Sequence, residues 1–384
     1  MSTSTRLFVG NLNFDTTDEG LSSHFPKSLK AFVVRERENA RSRGFGFVSY
    51  ATSAEAESAA KGLHGTILDG RELTVRIESP KATGGSPSPK PSPKPQKTPT
   101  KPSKDPKPFP IHPVPHPLVD IGANLTNRTL APHIDAILAQ SAAANVKTIL
   151  ITGTSLKASK EALQMCIAQG DNIHGVKLYA TAGVHPHDAS HTIKSGPGWI
   201  TQLETLITEN KPHIKAVGEC GLDYDRNFST PADQLTVFEA QLHLAQKLAL
   251  PVFLHNRDAH DDFLRLLRKY PSVRACVHCY TDDDASHLQA YIDAGYYIGI
   301  TGWVCDERRG LKLAEIIHKI PMGQLMVETD APYLLPRNVV GRKVKQNEPG
   351  LLGWVVKKVA ECYGCEGAEV ARRTTENAER FFGI

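Results

Sequence analysis

Ile214-Lys215-Ala216-Val217-Gly218-Glu219 is a short apolar run closed by a carboxylate, and the same pattern recurs further down the chain. Val252-Phe253-Leu254 leads into His255, Ala275-Cys276-Val277 into His278, and Leu325-Met326-Val327-Glu328-Thr329 into Asp330. Glutamate, histidine and aspartate are side chains that hold divalent metals. A parallel α/β barrel gathers the carboxyl ends of its strands at one face, so these four endings describe a single site.

Working outward, strand-like runs at Val119-Asp120-Ile121, Lys147 to Ile151, Leu178 to Val184 and Tyr296 to Ile300 bring the number to eight, with helical stretches between them. That count over residues 118–384 predicts a (β/α)8 TIM barrel. A doubly wound open sheet is the alternative, but it collects functional groups around one switch point and not after so many strands. A fifth ending, Gly183-Val184-His185-Pro186-His187-Asp188, joins the set. One histidine of this kind is more often a structural residue; five polar endings in one topological position reverse that weighting.

The amino-terminal region is a separate unit. Leu7-Phe8-Val9-Gly10-Asn11-Leu12 and Arg43-Gly44-Phe45-Gly46-Phe47-Val48-Ser49-Tyr50 read as strands. Alternation puts Arg43, Phe45 and Phe47 on one face, with Phe8 opposite the Leu7 and Val9 side. The aliphatic sets form a core against helices, which leaves three phenylalanine rings on the open face of a sheet. The order strand, helix, strand, strand, helix, strand follows, with helices at Thr17 to Phe25 and Ser53 to Leu63 and further strands at Ala31 to Arg35 and Glu72 to Ile77. This is a small α+β ferredoxin-like domain. Two domains and a linker result: residues 1–79, a linker over 80–117, and the barrel over 118–384.

The linker contains Ser86-Pro87-Ser88-Pro89-Lys90-Pro91-Ser92-Pro93-Lys94 and reads as an extended tether that cannot bury enough apolar surface to fold. The net charge of +4 sits there: seven lysines against Asp105, whereas residues 1–80 carry ten bases and ten acids and residues 118–384 carry 28 against 30. No signal peptide or membrane span is read at the start. Seven cysteines suit a reducing compartment, so the expected location is nuclear, cytoplasmic or both, and not secreted. Cys276-Val277-His278-Cys279 and Cys362-Tyr363-Gly364-Cys365 have a zinc spacing, but positions three apart on a strand face opposite ways, so these thiols read as packing. Asp282-Asp283-Asp284 reads as a helix cap. Arg308 and Arg309 read as a solvated helix face, with a phosphate track as the alternative, and His112 and His116 as linker residues without chemistry.

The two amino-terminal strings resemble the ribonucleoprotein signatures of an RNA recognition motif, over residues 5 to 79. The resemblance implies that Phe8, Phe45 and Phe47 stack bases and that Arg43 meets the backbone. One departure is the compressed stretch Pro26 to Lys30, which lacks the usual glycine. The barrel strings, with Gly218-Glu219-Cys220-Gly221-Leu222-Asp223-Tyr224, Leu254-His255-Asn256-Arg257-Asp258-Ala259, Val277-His278-Cys279-Tyr280 and Glu328-Thr329-Asp330-Ala331-Pro332-Tyr333, resemble the TatD family of metal-dependent deoxyribonucleases from Val119 to Ile384. That resemblance implies a hydrolase that degrades DNA, often from the 3′ end. Many relatives carry a His-x-His pair at the end of the first strand; here Gly122 and Asn124 stand in those positions, which puts a fully occupied two-metal centre in doubt.

The expected cofactor is a divalent metal, Mg²⁺ ahead of Mn²⁺ or Zn²⁺, as one or two ions held by Glu219, His255, His278 and Asp330. Asp330 orients or deprotonates the attacking water, and Glu219 belongs with it to the reacting centre. His185 is placed to touch the phosphate or donate a proton, Arg257 to clamp the substrate, and Trp303 to wall the site. The expected partner is single-stranded DNA, RNA or both, with no membrane and a monomer as the simplest state. Two rival functions are a small-molecule amidohydrolase, which predicts turnover indifferent to the phenylalanine face, and a non-catalytic RNA-binding protein whose barrel is a scaffold, which the retained ligand set argues against.

Overall fold

The structure is a computed structural model that describes residues 5–35, 42–77, 109–170, 174–226, 228–341 and 343–384. The linker up to residue 108 and the side chain of Arg43 lie outside the described residues. The chain divides into two compact units, Met1–Pro102 and Ser103–Ile384.

In the first unit β1 (Arg6–Gly10), β2 (Lys30–Arg35), β3 (Ser42–Ser49) and β6 (Thr74–Ile77) form an antiparallel sheet in the order β2-β3-β1-β6, and a short hairpin of β4 (Ile67–Leu68) and β5 (Arg71–Glu72) stands apart. Two helices, Asp18–His24 and Ser53–Leu63, start at threonine caps. Thr52 and Glu55 complete a capping box, each side chain bonding the other's backbone. Leu7, Val9, Val48, Leu21, Ala56 and Val75 form the core. In the compressed loop Lys27 takes φ 62, the left-handed conformation for which glycine is suited.

The second unit holds β7 (Leu118–Ala123), β8 (Val146–Ile151), β9 (Lys177–Ala182), β10 (Ile214–Asp223), β11 (Val252–Arg257), β12 (Ala275–Val277), β13 (Tyr297–Ile300) and β14 (Leu325–Val327), parallel and in sequential order. These are the eight runs read from the sequence. The ends meet where Ala123 bridges Ala331, with Asp330 N–H donating to Gly122 O at 2.8 Å and Asn124 N–H to Ala331 O at 2.7 Å. Such strands are covered on both faces and so read as unbroken apolar runs. Inside the barrel lie Ile121, Leu150, Ala216, Phe253, Cys276 and Met326, closed from the amino-terminal end by Phe381 and Phe382 of the last helix, Gly367–Phe382. The larger cluster packs the outer helices onto the strands.

Residues 109–117, read from the sequence as the end of the tether, lie against the barrel. Trp354 Nε1–H donates to Pro110 O at 2.6 Å, the His112 ring sits 5.1 Å from Trp354, and Val114 is buried. Asp284 caps the helix Ala285–Asp293 by accepting from Ser286 N–H at 2.7 Å, and all seven cysteines are free thiols. No helix among the described residues is long and apolar enough to cross a membrane.

Candidate metal centre and nucleic-acid face

β10 and β11 are longer than their apolar runs suggest, so Glu219 and His255 lie within strands instead of after them. On β10 the residues Gly218 and Cys220 face consecutive partners Phe253 and Leu254, which makes Glu219 the extra residue of a β-bulge. A bulge re-aims its side chain, here into the barrel mouth, while Glu219 N–H donates across to Gly153 O at 2.8 Å. Gly218 allows this because its φ is +142 and a Cβ there would overlap the Phe253 carbonyl.

Glu219 is the hub of the site. Its Oε1 lies 2.8 Å from His278 Nε2, 3.2 Å from His185 Nε2 and 3.2 Å from His255 Nδ1. Burial opposes ionisation, yet His185 and His278 hold the Glu219 carboxyl well below the usual carboxylate range. For His278 burial is likewise overcome, and Glu219 and Glu328 raise it well above the ordinary imidazole range. Burial does prevail at His185, taking it down to about 4 despite Glu219. His185 therefore stays neutral, and because its Nδ1 accepts His187 N–H at 3.1 Å, its proton sits on Nε2.

Of the residues singled out from the sequence, the structure brings His185, Glu219, His255, His278 and Asp330 around one cavity of about 1010 Å³, which Arg257 and Trp303 also line. Ligand atoms of His185, Glu219 and His255 lie within 4.8 Å of one another. Asp330 accepts from Asn124 Nδ2 at 2.9 Å, and burial pushes its carboxyl up to about 7 against the pull of His278. Arg257 pairs with Asp225 at 3.2 Å, and the Arg309 guanidinium covers Trp303 at 4.3 Å. Arg308 and Arg309 both pair with the buried Asp306.

The sequence reading gave no role to Asp223, whose Oδ2 lies 2.7 Å from His187 Nε2 and 3.2 Å from His255 Nε2. It turns the His255 ring so that Nδ1 faces Glu219, and those two histidines in turn hold Asp223, against burial, well below the ordinary range. The signal was available: Asp223 follows Glu219 at even spacing on one strand.

In the first unit the rings of Phe8, Phe45 and Phe47 share the face opposite the core. Phe8 stacks on Phe45 at 5.5 Å, and both meet Phe47 edge-on at 5.9 and 6.0 Å. Phe32, overlooked in the sequence, extends the row: Phe32, Phe47 and Phe8 are cross-strand partners, and Arg76 continues them. Alternation along β2, with Val33 in the core, could have placed it.

A closed parallel barrel with imidazoles and carboxylates converging at its carboxyl end is a TIM-barrel metallohydrolase. The chain belongs to the TatD-related DNase family, whose model matches residues 119–383, and residues 7–74 match the RNA recognition motif. It is 45% identical over 272 residues to the 3′-5′ ssDNA/RNA exonuclease TatD of Klebsiella pneumoniae (strain 342), covering 70% of this chain and 98% of that protein. The protein of the same name from Escherichia coli (strain K12) is 42% identical over 274 residues, covering 70% and 99%. Among solved structures, a hydrolase TatD family protein from Entamoeba histolytica matches with a TM-score of 0.64 and 25% identity, over 70% of this chain and 99% of that one.

Proposed function

We propose that the protein is a metal-dependent nuclease that hydrolyses phosphodiester bonds of single-stranded DNA or RNA from the 3′ end, with a recognition domain in residues 1–79 that captures the strand. The observation that carries this is the Glu219 carboxylate held among His185, His255 and His278 at the floor of an open, polar-lined cavity. The donor set fits a divalent ion: the His255 and His278 imidazoles already converge on the Glu219 carboxylate, and the His278 proton facing Glu219 marks where a cation is favoured. Glu219, His255 and His278 would hold it, with Asp330 adjacent, while His185, whose Nε2 carries its proton, would donate toward the phosphate. Mixed nitrogen and oxygen donors suit Mn²⁺ or Zn²⁺ as well as Mg²⁺. A bound ion supplies a water of lowered pKa and neutralises phosphodiester charge.

The chain's own residues supply the rest. Asp330, held by the Asn124 amide, faces the cavity with a carboxyl whose affinity for a proton is near neutrality, so it orients the attacking water and accepts its proton. Arg257 and Arg226 line the same wall and meet phosphate oxygens. Trp303 lines the same cavity. The phenylalanine face stacks bases of the same strand, and the linker makes the second encounter intramolecular, which raises the local concentration of nucleic acid. We place the protein in the nucleus, the cytoplasm or both, in keeping with its seven cysteines.

The test is a time course with end-labelled single-stranded DNA and RNA, with Mg²⁺ or with EDTA, for wild type and Glu219→Ala. Stepwise shortening from the 3′ end that EDTA and the substitution both stop is the expected result. No metal-dependent cleavage of either polymer would defeat the nuclease reading.

A further inference from the structure

Behind His278 lies Glu328, a fully buried carboxylate. Its Oε2 is 3.2 Å from His278 Nδ1, and its Oε1 accepts Cys279 N–H at 2.5 Å. The carboxylate is wedged between two glycines: a Cβ on Gly299 would lie 2.6 Å from Oε1, and a Cβ on Gly122 would overlap Oε2 outright. A buried carboxylate costs stability unless it is paired, and an apolar side chain of similar volume is commonly as good or better for the fold. Packing therefore gives no reason for an acid here. Its partners give one, since both belong to the end of β12, and one is the imidazole whose other nitrogen meets Glu219.

Resting on the metal-centre reading above, the geometry points to Glu328 as the positioning residue that fixes the tautomer of His278, accepting the Nδ1 proton so that Nε2 offers its lone pair to the ion. Metal-bound histidines commonly need such a partner on the second nitrogen, and the partner sets both ring orientation and basicity. The arrangement is doubled in this site. Asp223 stands behind His255 as Glu328 stands behind His278, and the free nitrogen of each ring meets the same Glu219 oxygen. The same geometry explains Gly122. A side chain at the end of the first strand would fall on the Glu328 carboxylate, so it must push that carboxylate away from where it now meets His278.

Glu328→Gln tests the assignment because it keeps the volume and reverses one hydrogen bond. Cys279 N–H still requires an acceptor, so the amide oxygen faces it and the amide NH₂ faces Nδ1. The ring must then carry its proton on Nε2, where it competes with the ion. Binding of Mn²⁺ to the purified full-length protein, read by electron paramagnetic resonance of the free ion, is expected to weaken about 10- to 100-fold. Activity on single-stranded DNA recovers as Mn²⁺ is raised, because the reacting groups remain in place. Gly122→Ala displaces Glu328 from Nδ1 and weakens Mn²⁺ binding in the same way, and adding Glu328→Gln to it costs little more.

Unchanged Mn²⁺ affinity in Glu328→Gln, or fully additive effects of the two substitutions, overturns the assignment. A measurement that needs no variant decides it independently: nitrogen-15 NMR of the Mg²⁺-loaded wild type should show His278 protonated on Nδ1, and protonation on Nε2 refutes the proposal. The Mn²⁺-binding and NMR readouts use no nucleic acid. Loss of the Glu328 effect with metal-dependent cleavage intact removes only this inference, whereas a wild type that binds no Mn²⁺ removes the metal centre itself.

Discussion

The phenylalanine face permits a test of the division of labour between the two units. Phe8→Ala/Phe47→Ala removes two rings that are cross-strand partners, leaving Leu7, Val9 and Val48 on the opposite side of the sheet untouched. Base stacking on an aromatic ring is worth about 1–3 kcal/mol, so two stacked bases lose about 2–6 kcal/mol. That corresponds to a weakening between about thirtyfold and about twenty-thousandfold, the larger figure requiring both bases to be fully stacked. The substitution also removes the contacts of Phe8 with Phe45 and Phe47 and of Phe47 with Phe32 and Phe45. Aromatic pairs contribute about 0.5–1.5 kcal/mol each, so the small domain becomes less stable and its folding must be verified by circular dichroism at the assay temperature. Binding is measured by fluorescence anisotropy of a labelled single-stranded oligoribonucleotide, and cleavage on that strand and on a dinucleotide. Long-strand binding should collapse while dinucleotide cleavage stays near wild type. Equal loss of dinucleotide cleavage, with the barrel's melting unchanged, would refute the view that the face captures and the barrel cuts.

At the centre itself, Glu219→Gln removes the charge that three imidazoles surround and should lower cleavage by more than the about 10- to 100-fold typical of losing an outer partner of a ligand, read as kcat/KM at fixed Mg²⁺. Metal binding should be proton-coupled: Glu219, Glu328 and Asp223 raise His278 and His255 in the ion-free protein, so each must give up a proton to ligate. Affinity therefore increases as pH rises through the raised imidazole range and is already reduced at neutrality, and calorimetry in two buffers of different ionisation enthalpy should show proton release; pH-independent affinity contradicts this. Val114→Ala removes buried apolar surface where residues 109–117 meet the barrel and should destabilise the second unit by about 1–2 kcal/mol, at about 0.8 kcal/mol per buried methylene, seen as a lower denaturation midpoint. No shift would mean that this segment adheres without contributing to stability.

The barrel was legible because its order is sequential. Each strand pairs with the next in the chain, so a list of apolar runs is already the sheet, and the endings of those runs are already one face. The recognition sheet was legible for a different reason, the alternation that separates Leu7 and Val9 from Phe8. What stayed hidden depends on contacts that no local pattern encodes. Glu219 reaches the centre through a bulge defined only against β11, and Asp223 acts through His255 on that neighbouring strand.

Gly122 shows the limit most clearly. Taken as a sequence, a glycine where many relatives place an imidazole puts a fully occupied two-metal centre in doubt. In the folded barrel that position lies beside the last strand, where β7 and β14 close the sheet, and the volume a side chain would need is occupied by the carboxylate of Glu328. Glu328 and Asp330 share one face by alternation, but the chain turns at Asp330, whose φ is 52, so one carboxylate is sent back to His278 and the other out to Asn124. The missing side chain on the first strand and the acid on the last thus occupy the same space. If Glu328 orients His278 as proposed, Gly122→His should weaken Mn²⁺ binding, read by electron paramagnetic resonance of the free ion, because the imidazole arrives where the Glu328 carboxylate now stands; unchanged or tighter binding would contradict this.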